Sequence, residues 1–221
     1  MQNKTKTIAT LASALFLGIA LPAQRGGNKK LLTYINSLPK QTVDAKEKAE
    51  LIKMRQEEKL ARDVYQALYQ KWKITAFTNI AKSEQNHMNL VKLMLDRYAI
   101  KDPLTSDKIG VFPDPTFTHL FQVLVLAGYQ SPVMAELVGA FIEDLDIYDL
   151  DLAMARTDNR DINTVWQNLQ RGSRNHMRAF YGLLKAQNIL YPGIVLPLSR
   201  ILSIINTPRE TKPVDENGKA L

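Results

Sequence analysis

Glu84 and His87 stand three residues apart in SEQNHM, residues 83–88, and His176 returns in a worn copy, SRNHM, at residues 173–177. Residues three apart on a helix share a face. The pair can therefore hold one ion together while the carboxylate reaches a second, as two-metal sites require. The second copy carries Ser173 where the first carries Glu84. Two of the chain's three histidines thus sit in matched phrases. The third, His119, lies beside Phe117 and Phe121 and reads as a surface or packing residue.

The elements that must position these residues are helices, because apolar residues recur around them in steps of three and four. Leu51, Met54, Ala61, Tyr65 and Leu68 form one seam, and Glu58 falls in register with them. Phe77, Ile80, Val91 and Met94 form a second, shared by Glu84 and His87. Val133, Ala140, Ile147 and Leu150 form a third with Glu143, and Ile162, Leu169, Phe180 and Leu183 a fourth with Ser173 and His176. Glu57 lies about 100° from the first seam and is expected to meet solvent. Glu136, two turns before Glu143, is expected at a splayed, wet helix end.

Burying one unpaired carboxylate costs several kcal/mol, and a cluster multiplies that penalty. No lysine or arginine lies on these seams at that level. Metal ions are the economical source of positive charge, with Glu58, Glu84, His87, Glu143 and His176 as candidate ligands. Two readings of Ser173 stand side by side. Asp146, three residues after Glu143, replaces the missing carboxylate, or an open coordination position lies beside the small serine.

Asp44 and Glu47 make a capping box for a helix running to about Lys71. Further helices are expected over 75–99, 114–128, 131–156 and 159–188, with a proline-containing loop, KDPLTSDKIGVFPDP, before the short third one. No segment alternates as a strand would, so the fold class is all-α. Residues 1–23 have two lysines, an apolar run and a small-residue exit, the pattern of a secretory signal peptide. Residues 24–47 read as a weakly ordered basic linker, 48–188 as the helical domain, and 189–221 as an extension with a disordered end. The absence of cysteine suits export and excludes thiolate metal sites. The net charge of +7 is spread along the chain, and nucleic-acid binding is not expected.

The segments EEKLARDVYQALYQKW, IAKSEQNHM, GAFIEDLDIYDL and LQRGSRNHMRAFY resemble the ferritin-like di-metal carboxylate superfamily. More narrowly, they resemble the bacterial domain-of-unknown-function 2202 family, over about residues 48–188. The resemblance implies a ferritin-like four-helix bundle, two hairpins joined by a long crossover. It implies Glu58, Glu84, His87, Glu143 and His176 as ligands to two irons, or manganese, with reaction toward oxygen or peroxide or storage of iron. It also places Tyr65, seven residues after Glu58, beside the ligands. Two other functions remain open, a non-catalytic metal-sequestering protein and a bis-histidine haem bundle. Copper and haem rank below iron. Electrons would come from an external donor, and homo-oligomer formation depends on outer helix faces that the seams leave undefined.

Overall fold

The computed structural model describes residues 22–221. Among them are seven helices and no strand: α1 (Pro22–Ser37), α2 (Ala45–Trp72), α3 (Thr75–Arg97), α4 (Pro115–Gly128), α5 (Pro132–Arg156), α6 (Arg160–Ala186) and α7 (Leu198–Ile205). The expected signal peptide lies outside the described residues except for Pro22 and Ala23, which open α1. None of the described helices is long and apolar enough to cross a membrane.

Local chemistry sets the ends of the long helices. Asp44 caps α2 through Lys46 and Glu47, and Glu47 returns a bond to the Asp44 backbone, which completes the expected capping box. Lys73 takes a left-handed turn (φ 57°) that ends α2 and leads into α3. Asp114 and Ser131 cap α4 and α5, each with proline in the first turn.

The helices α2 and α3 pack as one hairpin and α5 and α6 as another, with α2 against α5 and α3 against α6. The short α4 covers α2 and α5, and α7 lies on α6. The interior splits into two apolar clusters. One gathers Tyr65, Leu68, Phe77, Ile80 and Phe180, and the other Leu51, Met54, Val91, Met94 and Trp166. Along α2, α3 and α6 the candidate ligands fall between the residues of these two clusters, and on α5 Glu143 is followed by Ile147 of the first cluster and then Leu150 of the second.

Two expectations need correction. Residues 24–47 do not form a loose linker: α1 occupies most of them and buries Leu31 and Ile35. The C-terminal end is ordered against α6. Asn168 exchanges hydrogen bonds with the Val214 backbone (2.7 and 3.1 Å), and Arg174 and Arg178 bind Glu210. The burial of α2 also reaches beyond the seam that its periodicity marks. Lys59, Arg62 and Asp63 are all sheltered, and Lys59 Nζ and Asp63 bind the Lys108 carbonyl (2.8 Å) and the Gly110 N–H (2.9 Å). That latch ties the crossover loop to α2.

Candidate metal centre

Glu58 comes from α2, Glu84 and His87 from α3, Glu143 from α5 and His176 from α6. The four helices bring all five side chains into one buried layer. Two groups of three form within it, Glu58 with Glu84 and His87, and Glu84 with Glu143 and His176. In each group the donor atoms lie within 4.8 Å of one another. Glu84 belongs to both. Its Oε2 lies 2.7 Å from His87 Nδ1 and its Oε1 lies 2.8 Å from His176 Nδ1. Glu58 Oε2 stands 3.1 Å from His87 Nδ1, and Glu143 Oε2 3.3 Å from His176 Nδ1. The two imidazole rings stack with centroids 5.6 Å apart at 30°.

Around this cluster the surroundings set the charges. Burial disfavours an imidazolium, but Glu58 and Glu84 outweigh it at His87 and hold that ring's pKa well above its ordinary value. Glu84 and Glu143 do the same for His176, up to about 10. Burial pushes Glu58 up to about 8 and raises Glu143 as well. Burial alone would raise Glu84 too, but the two histidines hold it well below the usual carboxylate range. Without metal, the imidazolium rings serve as the counter-cations of the layer.

The donor set still has unused capacity. Glu58 Oε1 is buried and accepts no hydrogen bond, and Glu84 Oε1 faces His176 Nδ1 without hydrogen-bond alignment. Buried carboxylate oxygens left this way are costly, and a cation satisfies them. The oxygen and imidazole donors present fit a divalent metal.

Asp146 is not brought into either group of three. It borders the layer, accepting a hydrogen bond from Ser173 Oγ, and burial together with Glu58 raises its pKa well above the usual range. Tyr65 donates its hydroxyl to Glu143 Oε1 at 2.5 Å, beside the cluster as the family resemblance implies. Glu57 is not free in solvent. It is half-buried, pairs with Lys53 at 3.0 Å, and burial carries its pKa to about 8. Glu136 is buried and accepts a bond from Gln187 Nε2 at 2.5 Å. His119 is exposed, away from the cluster.

Two neighbours of the cluster escaped the sequence reading. Ser83 Oγ lies 2.9 Å from His176 Nε2. Gly172 lies against His87, where a Cβ would come within 2.3 Å of Nε2. Extending the repeated phrase by one residue would have exposed both, because Ser83 and Gly172 precede His87 and His176 by the same four positions.

The sequence and the fold are both similar to those of a known protein. The chain is 56% identical over 180 residues to the uncharacterized protein MJ0754 of Methanocaldococcus jannaschii, covering 81% of this chain and 97% of that one. The crystal structure of hypothetical protein MJ0754 from Methanococcus jannaschii superposes with a TM-score of 0.77 at 50% identity. That match covers 79% of this chain and 99% of the relative. Residues 47–208 match the uncharacterized protein domain DUF2202, a span that includes both hairpins and every residue of the buried layer. The chain belongs to the DUF2202 family.

Proposed function

We propose that this chain is a ferritin-like protein whose two hairpins form a four-helix bundle around a pair of metal ions, iron by first choice. One observation carries the reading: the Glu84 carboxylate meets the Nδ1 atoms of both histidines, at 2.7 and 2.8 Å. A shared carboxylate with a separate histidine and glutamate on each side is the donor set of a two-metal centre. Glu58, Glu84 and His87 would hold one ion, and Glu84, Glu143 and His176 the other. Oxygen and imidazole ligands without sulfur suit iron or manganese and give no preference to copper. A haem is disfavoured, because the two rings stack side by side instead of aiming nitrogens at each other across a macrocycle.

Charge balance gives Asp146 a part. Two divalent cations exceed the three carboxylates Glu58, Glu84 and Glu143 by one charge, and an ionised Asp146 beside Glu58 cancels it. Asp146 would act through charge or as a further ligand at the place where Ser173 replaces a glutamate. Tyr65 keeps Glu143 oriented through its hydroxyl, and the two apolar clusters keep bulk water away from the layer.

Iron bound here would supply the electron transfers that reduce oxygen or peroxide, with reducing equivalents from an external donor. The protein would work outside the cytoplasm after loss of residues 1–23. Metal sequestration without turnover is the second reading, favoured by the lack of a redox partner group in a chain without cysteine. Peroxide consumption by anaerobically iron-loaded protein with a reductant separates the two. Many turnovers per chain support the oxidoreductase, and iron retention with no turnover supports sequestration.

A further inference from the structure

The two histidine stations are alike in sequence and unlike in their support. Ser83 and Gly172 occupy equivalent places in the two hairpins, and each faces the histidine of the opposite one. The exchange is reciprocal in space, but Ser83 offers His176 a hydroxyl and Gly172 offers His87 no side chain. The glutamates repeat this pattern. Tyr65, seven residues after Glu58, donates to Glu143 at 2.5 Å. Leu150, the matching residue seven places after Glu143, has no polar atom to give. Both hydrogen-bonding supports therefore come from the first hairpin and act on donors of the second. On the other side Glu58 Oε1 has no partner.

A histidine that binds metal through Nδ1 must carry its proton on Nε2. A hydroxyl accepting that proton fixes the tautomer and the ring angle, and removing such a partner typically weakens metal binding by about 10–100-fold. We propose that Ser83 is a positioning residue that makes the two metal positions unequal. The position formed by Glu84, Glu143 and His176 is held ready and fills first. The position formed by Glu58, Glu84 and His87 fills second. Gly172 contributes by leaving room for the His87 ring, which a larger residue would displace. This inference rests on the two-metal reading above.

The test is an anaerobic titration of the metal-free full chain with cobalt(II), followed by calorimetry and visible absorbance. The native chain should bind in two steps of different affinity. Ser83→Ala should weaken the tighter step by about tenfold or more and leave the weaker one in place. Ser83→Thr, which keeps the hydroxyl, should restore the tight step. Gly172→Ala should abolish the weaker step and spare the tighter one. Equal steps in the native chain, two unchanged steps in Ser83→Ala, or a Ser83→Thr as weak as Ser83→Ala would overturn the role of Ser83 while leaving the metal centre standing. No cobalt bound by the native chain would overturn the two-metal reading itself.

Discussion

Tyr65 and Glu143, on different hairpins, are joined by a 2.5 Å hydrogen bond deep in the interior, with the phenol as donor. Burial and the facing carboxylate raise the Tyr65 pKa well above its ordinary value, so the hydroxyl keeps its proton at any physiological pH. Tyr65→Phe leaves a buried carboxylate oxygen without its partner. The expected loss is about 1–3 kcal/mol in the metal-free protein. Denaturant unfolding of that form checks it, and an unchanged midpoint would show that the bond contributes nothing.

Asp144 points away from the metal layer and serves the fold. Its carboxylate accepts from Tyr191 Oη (2.7 Å) and from the N–H groups of Ile194, Val195 and Leu196 (2.7, 3.0 and 2.9 Å). Asp144→Ala strips four donors of their acceptor at a fully buried position. A loss of about 3 kcal/mol or more is expected. Metal content per folded chain should stay at the native value, which elemental analysis of the purified variant would check.

Filling the centre should release protons. Both imidazoles are charged in the metal-free layer, because the facing carboxylates hold them above their ordinary range, His176 up to about 10. Metal ligands must be deprotonated, so binding expels these protons. Affinity therefore rises with pH, keeps rising past neutrality because both imidazoles titrate above their ordinary range, and falls on acidification. Calorimetric titrations at neutral pH in two buffers of different ionisation heat should show at least two protons released per chain, one for each imidazole. Identical heats in the two buffers would contradict this.

Much of this layout was legible in the chain. The seams placed Glu58, Glu84, Glu143 and His176 inward because helical periodicity marks a face without knowledge of the partner. The capping box at Asp44 and the prolines opening α4 and α5 are local signals and were equally plain. What escaped depends on distant partners. The helix α1 carries a Gly-Gly pair and little periodic pattern, and its Leu31 and Ile35 are buried by packing on elements far along the chain. The C-terminal end looks like a solvated tail until Arg174, Arg178 and Asn168 of α6 supply its hydrogen bonds. Lys59 looks like a surface residue because nothing local indicates that Asp63 and a loop carbonyl some fifty residues on will enclose it. Ser83 and Gly172 were hidden differently: their meaning lies in the opposite hairpin's histidine.

The shared carboxylate is tested most directly by metal content. Purified chain is loaded anaerobically with iron(II), freed of loose metal and analysed beside His87→Ala, His176→Ala and Glu84→Ala. Two irons per native chain are expected, with fewer in each histidine variant and the largest loss in Glu84→Ala, whose carboxylate serves both positions. Iron content that is zero in the native chain, or that survives Glu84→Ala unchanged, would contradict a two-metal centre built on Glu84.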